Sequence, residues 1–216
     1  MVRRTKEQAL ATRELLLDTA QQVFLEKGVA RATLDDIARA AKVTRGAIYW
    51  HFRNKAELFA AMCDRVSLPM QAMLDPLMRE TGPDPLGRLK RTTIMVLQLA
   101  AEDPRARDVF EIMFFKCDAG NPEIASVLSA EADNKRQCIK ELKDSLDAAI
   151  AAGQLPAALD SGLAAEALNA FVAGLLQNWL ARRDFDLAAQ APVLVDMLFQ
   201  GFAGLTQTKR PPPSLA

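Results

Sequence analysis

Residues 49–51 read Tyr-Trp-His and hold the chain's only tyrosine, its only histidine and one of its two tryptophans. Side chains of these types, set side by side, suit either a catalytic site or a surface that must touch something outside the protein. Catalysis lacks partners. A nucleophile–base pair or a metal site needs further members, and the chain has no second histidine to supply one. Carboxylates are plentiful, but no spacing singles out a working pair. The chain therefore reads as no enzyme, without metal or cofactor. Cys63, Cys117 and Cys138 are odd in number and widely spaced. They fit small buried hydrophobes in a reducing cytoplasm better than a disulfide framework or a zinc knuckle.

A contact surface must be held by secondary structure, and the apolar periodicity is helical throughout, with no strand alternation. The punctuation predicts nine helices and an all-α fold. A first helix spans about 8–27, with Gly28 at its end. Thr33 opens a short segment, TLDDIARAA, and a turn at AKV leads to a second short segment from Thr44. Asn54 and Glu57 form a capping box that starts a long helix towards 80. Further helices are expected at about 85–102, 104–117, 122–152, 160–182 and 187–207, followed by a flexible, proline-rich tail at 209–216. Ile37, Ala38, Ala41, Val43 and Ile48 are spaced to pack segments 33–41 and 44–50 together against the first helix. That arrangement is a helix-turn-helix. Its second helix keeps a free outer face of Thr44, Arg45, Gly46 and Tyr49, with Trp50 and His51 at its end. Groove reading wants such a face, slim and with donors near the helix N-terminus. Gly46 costs about 1 kcal/mol of helix propensity relative to Ala, and close approach to a groove wall would compensate. The charge agrees, since residues 1–55 carry 11 Lys/Arg against 6 Asp/Glu although the whole chain is neutral.

The run TLDDIARAAKVTRGAIYWHFRNKAELF closely resembles the DNA-binding motif of the tetracycline-repressor (TetR/AcrR) family of bacterial transcriptional regulators. RRTKEQALATRELLLDTAQQVFLEKGV and FEIMFFKC are similar to the multidrug efflux pump repressors within it. The resemblance implies a nine-helix homodimer, with a DNA-binding head at 10–70 (helix-turn-helix 33–52) and a ligand-binding and dimerisation domain at 71–208. It implies that Tyr49, His51 and Lys55 contact phosphates of double-stranded operator DNA, and that Thr33 holds a phosphate at its helix N-terminus. Thr44, Arg45 and Gly46 would face base edges, with Arg45 suited to a guanine. Trp50 is expected to point inward or brace the helix. The chain departs from the family pattern at the turn, where Lys42 stands in place of the usual Gly. A positive φ there would cost Lys roughly 1 kcal/mol. Either the turn relaxes, or Lys42 recovers the loss by reaching a phosphate, the expectation preferred here.

In the second half, VFEIMFFKC at 109–117 is apolar nearly all round and should be surrounded by protein. Glu111 within it either turns to solvent, pairs with an arginine, or anchors a ligand in an apolar chamber. Asn178, between Leu175 and Trp179, raises the same choice. The expected lining adds Met70, Met73, Met95, Leu97, Met113, Phe114, Phe115, Leu142, Leu146, Phe171, Val172 and Leu175, each of which could equally be plain core. Flexible methionines and phenylalanines suit varied apolar molecules, although a hydrophobic drug-like inducer is what the resemblance implies. Ala164, Ala167, Ala170, Ala173 and Gly174, with Val193, Met197, Phe199 and Phe202, are expected to form a twofold helical interface. The segment GLAAEALNAFVAGLLQNWLA is interrupted by Glu166, Asn169, Gln177 and Asn178. No membrane span is predicted, and the basic N-terminus lacks the apolar run of a signal peptide. The expected function is a cytoplasmic, ligand-responsive repressor of a multidrug efflux pump operon, bound to a palindromic operator. The alternative is a DNA-binding regulator without ligand, controlled by a protein partner through its acidic body.

Overall fold

Short polar side chains set where the helices begin. In the computed structural model, which describes residues 2–80, 82–118 and 120–205, seven helices open on a Thr, Asn or Asp. Each accepts a hydrogen bond from an amide two or three residues on. Thr33 caps α2 (Leu34–Ala40), Thr44 caps α3 (Arg45–His51) and Asn54 caps α4 (Lys55–Arg79). Asp84 and Asp103 cap α5 (Pro85–Glu102) and α6 (Pro104–Glu111). Asp160 and Asp186 cap α8 (Ser161–Arg182) and α9 (Leu187–Ala203). A 3₁₀ turn, Pro122–Ile124, leads into α7 (Ala125–Ala151). Ahead of them all runs α1 (Val2–Lys27), which stops at Gly28 with φ +76°. Among the described residues there are nine α-helices and no strand. α1 starts earlier than residue 8 because nothing in VRRTKEQ breaks a helix. The last helix stops at Ala203, capped at Gly204, short of the expected 207, and the tail at 209–216 lies outside the described residues.

The capping box at Asn54 is only half made. Asn54 Oδ1 accepts from the Glu57 amide at 2.8 Å, but the Glu57 carboxylate turns to the Arg53 amide, also at 2.8 Å. A larger departure is at 104–117, where α-helix gives way to a π-helical turn at Ile112–Lys116. The turn brings the Lys116 carbonyl to the Val29 amide at 3.0 Å, and a Cβ on Gly28 would lie 3.4 Å from that oxygen. π-turns commonly accommodate such local demands.

Two apolar cores result. The first gathers Leu16, Leu17, Phe24, Ile37, Ile48, Phe52, Leu58 and Phe59 from α1–α4, and also takes in Val109, Ile112, Ile124 and Val127. It draws on both sides of the division expected near residue 70. The second joins α5 and α7–α9 through Leu89, Leu97, Leu146, Leu168, Leu176, Val195 and Phe199. Phe110 packs against both. Each fully buried Leu or Phe stabilises the fold by about 1.5–3 kcal/mol.

α5 and α9 make the most extensive helix pair. Pro192 lies inside α9 and has no amide hydrogen for the carbonyl four residues earlier. That carbonyl, Ala188 O, accepts instead from Gln98 Nε2 of α5 at 3.3 Å. Lys90 adds an ion pair to Asp196 at 2.7 Å. On the outer side of α8 and α9 the expected interface row needs correction. Ala164, Phe199 and Phe202 are buried in the second core. The exposed apolar residues are Leu163, Val193 and Met197, with Ala167 and Ala170 beside Leu163 on α8. The ambiguity is physical, since both helices are apolar on more than one face.

Candidate nucleic-acid interface and ligand chamber

Helix α3 is held from beneath and open above. Ile37, Ala38, Ala41 and Ile48 are buried between α2 and α3, with Val43 packed at their edge. Thr44 Oγ1 accepts from the Ala47 amide at 3.2 Å and fixes the start of α3. Arg45, Gly46, Tyr49 and Trp50 face solvent. A Cβ on Gly46 would meet nothing closer than Thr44 Oγ1 at 3.9 Å. Packing inside the head therefore does not require glycine here.

Arg45 Nε lies 3.1 Å from Asp35 Oδ1, and its guanidinium sits 5.5 Å from the Tyr49 ring centroid. The neighbouring Tyr49 side chain and then the Asp35 carboxylate both favour the charged guanidinium. Trp50 departs from its expected inward role, since it is 73% exposed, with its ring edge-on to His51 at 4.6 Å. Burial, and then the Arg13 charge, push the half-buried His51 below the usual histidine range. At neutral pH it therefore offers an N–H without a charge.

The turn before α3 does not relax, because Lys42 sits at φ 56° with its side chain in solvent. Lys55 is a correction. Its side chain is 9% exposed, and its ammonium donates to Ala30 O at 3.2 Å and Ala32 O at 3.0 Å and pairs with Glu123 at 2.5 Å. Three donors have three partners, so the side chain ties the α1–α2 loop to the 3₁₀ turn instead of facing a phosphate. Thr33 is likewise engaged. Its hydroxyl donates to Asp36 Oδ2 at 2.8 Å and accepts from the Asp36 amide at 3.1 Å, leaving it a capping role beside a carboxylate.

The proposed chamber residues divide. Leu97 and Leu146 are fully buried in the second core, with Phe114, Leu142, Val172 and Leu175 packed against it. Met113 faces the first core, its sulfur 3.9 Å from Cys63 Sγ. Met70, Met95 and Phe171 are half-buried, whereas Met73 and Phe115 are exposed. Glu111 pairs with Arg183 at 2.6 Å, which corrects its role as an anchor. Asn178 is exposed and donates to Gly174 O at 2.8 Å on its own helix, so it too leaves the lining. Phe110 and Phe114 stack at 6.3 Å. Two open clefts lie elsewhere. One of about 570 Å³ separates α1 from α6, and one of about 330 Å³ lies between Met78 and Ser145. Sequence reasoning missed Asp35 as a partner of Arg45.

Comparison with known proteins places this geometry. Residues 16–62 match the description "Bacterial regulatory proteins, tetR family", and residues 84–203 match "MAATS-type transcriptional repressor, C-terminal region". The chain is 39% identical over 197 residues to the HTH-type transcriptional regulator TtgR of Pseudomonas putida, covering 91% of this chain and 93% of that one. Its structure resembles NalD, the secondary repressor of the MexAB-OprM multidrug efflux pump in Pseudomonas aeruginosa. There the TM-score is 0.81 at 31% identity, over 92% of this chain and 98% of NalD. It also resembles SmeT, the repressor of the Stenotrophomonas maltophilia multidrug efflux pump SmeDEF, in its complex with triclosan. That match has a TM-score of 0.77 at 30% identity, over 95% and 100% of the two chains. With both halves matched and a helix-turn-helix in place, the chain belongs to the tetR family of bacterial transcriptional regulators and is not an enzyme.

Proposed function

We propose that the protein is a dimeric repressor that binds a palindromic operator of a multidrug efflux pump operon and leaves it when a hydrophobic ligand binds. The observation that carries the DNA half is α3, buried through Ile48 and open through Arg45, Gly46, Tyr49 and Trp50. Arg45 and Thr44 read base edges, while Tyr49, His51 and Lys42 contact phosphates. Support for a dimer comes from the exposed row of Leu163, Ala167, Ala170, Val193 and Met197 on α8 and α9. Two copies joined there give two heads for one twofold operator.

Support for an apolar ligand comes from Phe110, Phe114, Leu142, Val172 and Leu175 around the second core, and from triclosan in SmeT. Met70 and Met73 on α4 add flexible apolar side chains close to solvent. A ligand that prefers a different head spacing shifts the population, and a hundredfold loss of operator affinity needs only about 2.7 kcal/mol of coupling. The test is an operator titration with and without hydrophobic drugs. Phe114→Ala alters the drug response and spares DNA binding, and Tyr49→Ala does the reverse. Equal loss of DNA binding in both variants rules the division out. Absence of thermal stabilisation by any compound of a drug panel would favour control by a protein partner instead.

A further inference from the structure

Asp35 is an awkward residue on a surface meant for DNA. Its carboxylate stands beside the reading helix, where a negative charge repels phosphate and weakens binding to every sequence alike. Part of its presence is explained by the first turn of α2, whose dipole favours an acid. The rest of its surroundings are not. Oδ1 is shielded from water and has no well-aligned hydrogen bond, although the residue as a whole is partly exposed. Its charge contact is Arg45 Nε, 3.1 Å away across the helix-turn-helix.

That contact leaves a defined part of the guanidinium free. The approach is through Nε, and an arginine fork carries four further N–H donors on its two terminal nitrogens, which can meet another acceptor pair. The Tyr49 ring supports the group from the side, 5.5 Å from its centre. A long side chain that would otherwise sample many rotamers is thereby held at both flanks before DNA arrives. The contact is reciprocal, because an Arg45 that swung away would take from Asp35 the cation that faces its Oδ1.

Resting on the DNA-binding reading above, we infer that Asp35 is a specificity-determining positioning residue. It acts through Arg45, orienting the guanidinium for one base pair in each half-site and holding it back from adventitious phosphates. Asp35 itself touches no base.

The test uses the full-length protein and an operator recovered from a random duplex pool. Affinities of wild type, Arg45→Ala, Asp35→Asn and the double variant are measured at one salt concentration for that operator and for every single base-pair change in a half-site. Arg45→Ala should erase the preference at one base pair, worth about tenfold or more. Asp35→Asn should cut the preference at that same base pair at least about threefold, leave the others unchanged, and tighten binding to unrelated duplex. The double variant should match Arg45→Ala in its base-pair profile. Asp35→Ser supplies a second neutral side chain, and far-ultraviolet dichroism confirms which variants are folded. Uniform weakening across all base pairs would assign Asp35 to helix stability alone and overturn the inference, as would an unchanged Arg45-dependent preference. Loss of no preference in Arg45→Ala overturns it as well. A wild type without any sequence preference would instead sink the DNA-binding reading.

Discussion

Lys42 sits in the turn of the helix-turn-helix at φ 56°, a conformation that suits glycine. For a lysine it costs about 1–2 kcal/mol. Replacing it with glycine removes that strain but gives the unfolded chain more freedom, a loss of about 0.4–1 kcal/mol. The balance is a gain of roughly 0–1.6 kcal/mol, and for a chain of this size about 2–4 °C in Tm for each kcal/mol. DNA binding should move the other way. If the exposed ammonium of each head meets one phosphate, Lys42→Gly removes two contacts per dimer. The slope of log affinity against log salt then flattens by about 1.8. At 0.1 M salt that is about eightfold per head relative to 1 M. Thermal melting and a salt series of operator titrations give both numbers. A variant that is more stable but keeps the wild-type salt slope would show that the strain has no phosphate contact behind it. A less stable variant would refute the strain argument itself.

Lys55→Met should leave Ala30 O and Ala32 O unpaired, lowering stability in urea by about 2–4 kcal/mol while the salt slope of DNA binding stays unchanged. Gly87→Ala would place a Cβ 1.9 Å from Asp84 Oδ2, displacing the cap of α5, and denaturation should register a loss of about 0.5–2 kcal/mol. Hydrogen bonds from Lys27 and Thr33 hold Asp36 near pKa 2, from an ordinary 3.8. Its contribution is complete above that ordinary value and is lost as pH falls towards 2, so acid unfolding of Asp36→Asn should be shallower in that window. His51 starts neutral because its pKa is depressed by burial and by Arg13. A phosphate favours its protonated form, so operator affinity should rise as pH falls from about 7.5 to about 6. His51→Gln should flatten that dependence.

The architecture was legible because its signals are local. Thr33, Thr44, Asn54, Asp160 and Asp186 cap the helices that the sequence reading starts there. Ile37, Ala38 and Ile48 lie inside as their spacing requires. Trp50 was legible too, had helix geometry been weighed above its apolar character. Two residues after the buried Ile48, it points about 200° away. Lys55 was not, because its acceptors are backbone carbonyls of the α1–α2 loop, which carry no mark in the sequence. Glu111 meets Arg183 across 72 residues, a pairing that only packing creates. The π-turn at Ile112–Lys116 is likewise joined to a distant residue, Val29. On α8 and α9, apolar residues on adjacent faces hid which row turns outward.

Gln98 and Pro192 bind the histories of two positions together. Proline at 192 is tolerable in α9 because a side-chain amide from α5 reaches the carbonyl it abandons. Losing that amide alone orphans a half-buried acceptor, at about 1–3 kcal/mol, whereas losing the proline alone restores the helix's own bond. Among related sequences, an amide at 98 should therefore accompany proline at 192 more often than chance, and lineages that lack the proline should be free to vary at 98.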